Sequence, residues 1–198
     1  MKTTLKKIVF YTLAILLGGC VPSLHPLFTD EEIIFDANLV GVWSEPNSNN
    51  PKDFWEFKPA ANKKYDVIYI DEKGIGKFEG RLGKIEKDTY LDFYPQDINL
   101  PGSDFYKFHL LGIHTFAKVE LSKDSLKLSI MNPDNVEKLL KSDPNILKHE
   151  ETDRIVLTAS TKELQTFIKK YGKDKDLFKE ENGNQLQRVK QQDVNSVK

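Results

Sequence analysis

The chain predicts a mainly β, antiparallel domain with a packed helix near its C-terminus, and three observations predict it. From Leu39 onward apolar residues recur mostly at every second position, in strand-length runs rich in aromatic and β-branched residues. Between the runs lie clusters of turn formers, among them Asn47-Ser48-Asn49-Asn50-Pro51 and Asp71-Glu72-Lys73-Gly74. Only two segments carry a helical repeat. Eight or so consecutive short strands joined by hairpins favour a sandwich or an up-and-down barrel.

Taken in order, Leu39 to Trp43, Asp53 to Lys58, Lys64 to Asp71 and Lys77 to Ile85 are the first four strands. Thr89 to Tyr94 is the next, ended by Pro95, and a loop through Pro101 and Gly102 follows. The clearest alternation runs from Leu111 to Leu121; after the turn Ser122-Lys123-Asp124 it resumes with Leu126, Leu128 and Ile130. That pair reads as a hairpin with one apolar face. Asn132-Pro133-Asp134 opens a short helix with Pro at its first position, and Pro144 stops it. Ile155 to Thr158 is a strand, and Gln185 to Val189 is a last short one. Between them Ser160 and Glu163 form a capping box for a helix with Leu164, Phe167, Ile168 and Tyr171 on one face and Gly172 at its end.

The 198 residues suit one domain with tails. With 29 Lys plus Arg against 30 Asp plus Glu there is no basic excess to displace counterions, so nucleic acid is not an expected partner. One cysteine excludes an internal disulfide framework and a multi-cysteine zinc site.

That cysteine has a context. Lys2, Lys6 and Lys7 precede an apolar run from Ile8 to Leu17, far short of the ~20 residues of a membrane-spanning helix. The run therefore reads as the core of a secretory signal. It ends in Leu17-Gly18-Gly19-Cys20, which resembles the bacterial lipobox. The resemblance implies a signal peptide at 1–19, cleavage before Cys20, and diacylglyceryl plus acyl chains on that residue, enough for stable anchoring. Val21 rather than Asp follows, which in a Gram-negative envelope favours the outer membrane, facing the periplasm. Loss of 1–19 removes three lysines and no acid, moving the formal charge from −1 to −4. Residues 20–36, with Pro22 and Pro26, read as a lipidated tether; Thr29 to Glu32 is a capping-box pattern for one helical turn. The folded body is 37–190 and the polar 191–198 is a frayed tail.

Gly41-Val42-Trp43, after a short turn at Asp36-Ala37-Asn38, resembles the Gly-x-Trp signature of lipocalins. In that family the Trp closes the barrel bottom beneath a basic residue of a late strand, which implies a role for Gly41 and Trp43 and makes Arg154 and Arg188 the candidates for the covering cation. The order strand, capped helix, Gly172, Leu177-Phe178 is similar to the lipocalin C-terminal order. The resemblance selects a lipocalin-like barrel over a sandwich; the helix at Asn132 is a departure from it. Trp43 also reads as a plain core tryptophan. The segment Ser23-Leu-His-Pro-Leu27 is similar to one found after the cysteine in uncharacterised bacterial lipoproteins.

Catalytic chemistry is not assembled by spacing. His109 and His114, five apart in one expected strand, fall on opposite faces. His149-Glu150 lacks the second histidine of a zinc-protease helix, and Gly74-x-Gly76 with Gly80 precedes strand rather than helix. There is no G-x-S-x-G. No metal, cofactor or catalytic residue is expected. What remains is aromatic. Trp55, Phe57, Tyr65, Tyr69, Phe78 and Phe93 are the candidates to line an interior that either is filled by side chains or holds one small apolar ligand. The expectation is a non-catalytic, membrane-anchored envelope lipoprotein binding a small hydrophobic or amphipathic ligand. The alternative is a structural or protein-interaction lipoprotein with a filled barrel and an envelope protein as partner.

Overall fold

The computed structural model describes residues 20–46, 54–96, 103–173 and 177–189. The expected signal peptide at 1–19, the tail at 191–198, the turn at 47–51 and the Pro101-Gly102 corner lie outside the described residues. The elements are β1 (Gly41–Ser44), β2 (Phe54–Pro59), β3 (Tyr65–Asp71), β4 (Gly74–Ile85), β5 (Asp88–Pro95), α1 (Asp104–Lys107), β6 (Thr115–Leu121), β7 (Ser125–Met131), α2 (Pro133–Ser142), β8 (His149–Glu151), β9 (Ile155–Leu157), α3 (Thr161–Tyr171) and β10 (Phe178–Arg188).

Eight strands close into an antiparallel barrel in the order β1-β10-β7-β6-β5-β4-β3-β2. The period-two runs form a mainly β structure, and it is the closed, lipocalin-like barrel that the Gly41-Val42-Trp43 resemblance favours over a sandwich. Its hairpin turns have the expected chemistry: the Asp71 carboxylate accepts from the backbone N–H groups of Lys73 and Gly74 at 2.8 and 3.0 Å. Register fixes which residues face in. Trp43 is opposite Trp55, Trp55 opposite Tyr69, Val67 opposite Phe78, and Gly80 opposite Phe93. Because side chains alternate, all of these share the interior face.

Two helices form where their caps are written. The Asn132 side chain accepts from the N–H of Asp134 ahead of α2, and Ser160 with Glu163 makes both bonds of the capping box at α3. Gly172 ends α3 in an ordinary right-handed conformation, so a left-handed cap is not its function. A Cβ there would stand 2.5 Å from the Ile168 carbonyl oxygen and 2.9 Å from the Tyr90 hydroxyl; closeness to the barrel wall demands the glycine.

Four expectations are corrected. The strand read from Leu111 begins only at Thr115; α1 and an irregular stretch come before it. The strand at Ile155 is not part of the barrel but pairs with β8 in a separate hairpin, and the strand that closes the ring is β10, longer than the Gln185–Val189 piece that alternation suggests. The tether reading of 20–36 also fails: Val21, Ser23, Leu27, Phe28 and Ile33 are all buried.

That segment belongs to a second apolar core. One core fills the barrel with Leu39, Trp43, Phe57, Tyr65, Leu82, Leu91, Phe93, Ala117, Leu126 and Leu186. The other lies on the outer wall, where Tyr90, Phe116 and Met131 are covered by Val21, Leu27, Phe28, the Val136–Leu140 stripe of α2 and Leu164, Phe167 and Ile168 of α3. Strand β5 is buried on both faces, Leu91 and Phe93 inward and Tyr90 and Asp92 outward.

Candidate functional site

The Asp36 carboxylate accepts from the Asn38 N–H and starts a 3-10 turn, Ala37–Leu39, that leads the chain across one end of the barrel into β1. Leu39 drops into the barrel core, and the Trp43 indole donates to its carbonyl at 2.9 Å. Over the face of that indole lies the Arg188 guanidinium, 4.2 Å from the ring centroid. Its donors fan onto three carbonyls: Nε to Lys123 at 2.9 Å, Nη1 to Val40 at 2.8 Å, and Nη2 to Asn38. One planar fork thus ties the β6–β7 turn to the approach to β1 at the seam where first and last strands meet. Gly41, at φ +141°, gives Arg188 its room, since a Cβ would meet Nη1 at 2.5 Å. Arg154 is elsewhere, exposed in the β8–β9 turn and 3.6 Å from Asp153.

The six aromatic candidates sit on the inner face and pack on one another. Trp55 lies 4.5 Å from Tyr69 and 5.4 Å from Phe93, and Phe78 meets Phe93 edge-on at 6.0 Å. Phe57 and Phe93 are buried; Trp55, Tyr69 and Phe78 are half-buried. Tyr65 is committed to structure. Its hydroxyl accepts from the Asp36 N–H at 2.7 Å and donates to the Asp36 carbonyl at 3.0 Å, and burial pushes its phenol pKa up.

Space is found at the closed end instead. A cavity of about 510 Å³ lies between residues 34–37 and the ends of β4, β5 and β6. Ile34, Leu82, Val119 and Leu121 give part of its wall, Asp36, Asp88, Thr89, Lys118 and Glu120 the polar remainder, and Lys84 and Lys87 stand on its rim. The carboxylates in the lining are engaged, Asp36 with the Asn38 N–H at 2.9 Å, Asp88 with Lys118 at 3.3 Å and Glu120 with Lys127 at 3.4 Å. Among the described residues no carboxylate lies within 4 Å of the Lys84 or Lys87 ammonium, and Glu86 beside Lys87 is bonded to Lys173 at 2.6 Å. None of the six aromatic candidates lines this cavity. Sequence reasoning misses it because residues 34–37 are far in the chain from the strands they cap.

The outer wall holds a buried polar pin. Asp92, fully buried, accepts from the Leu27 N–H at 2.9 Å and binds His114 Nδ1 at 2.8 Å, while Tyr94 stacks on the imidazole at 4.6 Å. Ser23 and His114 exchange backbone hydrogen bonds at 2.9 and 2.8 Å, and the Ser23 hydroxyl donates to the His25 carbonyl at 2.8 Å. The pin holds Ser23–Leu27 to the barrel. Its sequence signal was an acid inside the aromatic run Tyr90-Leu91-Asp92-Phe93-Tyr94. Neither histidine of the expected strand is in β6: His114 makes an isolated bridge with Ser23 just before it, and His109 Nδ1 lies 2.7 Å from the Phe105 carbonyl at the end of α1. Among the described residues no three metal-ligating side chains cluster.

Cys20 is exposed, immediately before the buried Val21. No described helix is long and apolar enough to cross a membrane. Comparison of the chain with protein-family models, curated proteins and solved structures found no match.

Proposed function

We propose that the protein is a non-catalytic, lipid-anchored lipoprotein of the bacterial cell envelope whose barrel binds one small amphipathic molecule. The anchoring half rests on the Leu17-Gly18-Gly19-Cys20 pattern and on the exposure of Cys20. The binding half is carried by one observation, the cavity of about 510 Å³ with apolar side chains on part of its wall and Lys84 and Lys87 at its rim. That volume falls within the usual size of small-molecule sites, roughly 300–1,000 Å³. Ile34, Leu82, Val119 and Leu121 suit an alkyl or ring body, and Lys84 with Lys87 suits an anionic head such as a carboxylate.

Displacement of a dansyl-labelled fatty acid tests the reading. Leu121→Trp, which fills the cavity, is expected to abolish binding. Replacing Lys84 and Lys87 together by Ala is expected to weaken the acid about tenfold and the corresponding neutral alcohol hardly at all. Binding that ignores both variants would sink the site.

The packing of Trp55, Tyr69, Phe78 and Phe93 on one another favours a second reading, a structural or interaction module with a filled barrel. It requires a stoichiometric envelope partner recovered by crosslinking from membranes, and no competition by fatty acids.

A further inference from the structure

The sequence suggests a tether between Cys20 and the body, and none exists. Pro22 accepts from the Leu157 N–H at 2.8 Å, Leu24 donates to the Leu157 carbonyl at 2.9 Å, and Ser23 is bridged to His114 through both its backbone groups. Val21 is 3% exposed. From Ser23 to Cys20 the backbone reaches at most ~11 Å. Any bilayer holding acyl chains on Cys20 therefore lies within about that distance of the Ser23–His114 bridge.

The chain leading to His114 carries the most exposed apolar side chains of the described residues. Phe105 is 78% exposed, Phe108 85% and Leu111 70%, with Tyr106 half in water and Lys107 between them. Leu24, next to the bridge, is exposed as well. Leu111 is three residues from His114, so the same ~11 Å limit applies on that side. Scattered exposed leucines need no explanation, whereas a contiguous set of large aromatic and aliphatic residues marks an interaction surface. Phe, Tyr and Leu beside a Lys are the side chains that settle at the boundary between headgroups and acyl chains.

We infer that residues 103–111 lie in the headgroup layer of the membrane that holds Cys20, a conclusion that rests on the lipid-anchor reading above. The occupant of this surface is a phospholipid bilayer, because the missing tether presses the patch against whatever the lipid enters. The β5–β6 connection is at the barrel end opposite the β4–β5 and β6–β7 turns. Docked this way, the barrel turns its Arg188–Trp43 end and the cavity with Lys84 and Lys87 toward the aqueous side.

The test uses the acylated mature protein, beginning at Cys20, reconstituted in phosphatidylethanolamine–phosphatidylglycerol vesicles with brominated acyl chains. In Phe108→Trp the added emission is expected to shift to the blue and to be quenched ~2-fold or more by the bromines, read against the unsubstituted protein. Lys123→Trp, at the opposite end, is expected to stay unquenched. Mass spectrometry of the Cys20 peptide is run on the same sample. Acyl chains present with Trp at 108 unquenched overturns the docking and leaves the anchor intact. Acyl chains absent overturns the anchor, and this inference with it.

Discussion

The two apolar cores are built on opposite rules. The barrel core is sealed by hydrogen bonds at its rim, with Arg188, Leu39 and Asp36 closing one end over Trp43 and Tyr65. The outer core is assembled from distant pieces of chain, residues 21–33, α2, Leu147 with Leu157 of β9, and α3, laid on β4 to β7. It has a polar rivet in its middle, Asp92 with His114 and the Leu27 N–H. A barrel strand normally shows one apolar face, and β5 shows two because both cores use it. The difference suggests that the barrel is the foundation and the outer layer a cladding held by a few specific bonds.

Trp43→Ala is the largest break available. It empties a fully buried site beneath Arg188 and is expected to cost ~4 kcal/mol, lowering the melting temperature of both cores together. If calorimetry showed the outer layer melting apart from the barrel in this variant, the foundation argument would be wrong. Asp92→Ala should separate the two. It strands the His114 imidazole and the Leu27 N–H, at a cost of ~2–3 kcal/mol, and the loss should be local. Amide exchange is expected to quicken in residues 21–28 and α3 while β2 and β3 keep their protection. Uniform loss of protection would contradict it.

The smallest effect is at the outer edge of the cladding. Hydrogen bonds from Ser160, then Lys148 and the Ser160 backbone, hold the Glu163 carboxyl down to about 2. Its ordinary value in an unfolded chain is ~4.3. The fold therefore favours the carboxylate, and this contribution is complete above that value and lost as pH falls toward about 2. Fraying of α3 should rise across that window by amide exchange, and Glu163→Gln should flatten the dependence.

Much of the barrel was legible because a half-buried strand writes its alternation into the chain. The hairpins around Asp71 and Lys123, both long helices with their caps, and the Gly41-Trp43 pair all lie in local sequence. What escaped was decided by contacts far apart in sequence. Pro22 and Pro26 signal irregular backbone, and irregular backbone can be a tether or a strap. Only Asp92, 65 residues beyond Leu27, settles which. The closed-end cavity is hidden for the same reason, and α1 is too short for periodicity to announce it. Nor could spacing choose between Arg154 and Arg188, since the choice depends on which strand completes the ring.

That ring has a cost in time. Trp43 pairs with Arg188, 145 positions later in the chain, so the barrel closes on its last strand. Until β10 is in place, the free sides of β1 and β7 are unpaired strand edges with aromatic neighbours, the arrangement most prone to join another chain. Long-range pairing of this kind is also the slowest to form. A chain that must leave its C-terminal residues waiting is one whose safe folding depends on not meeting its own kind first.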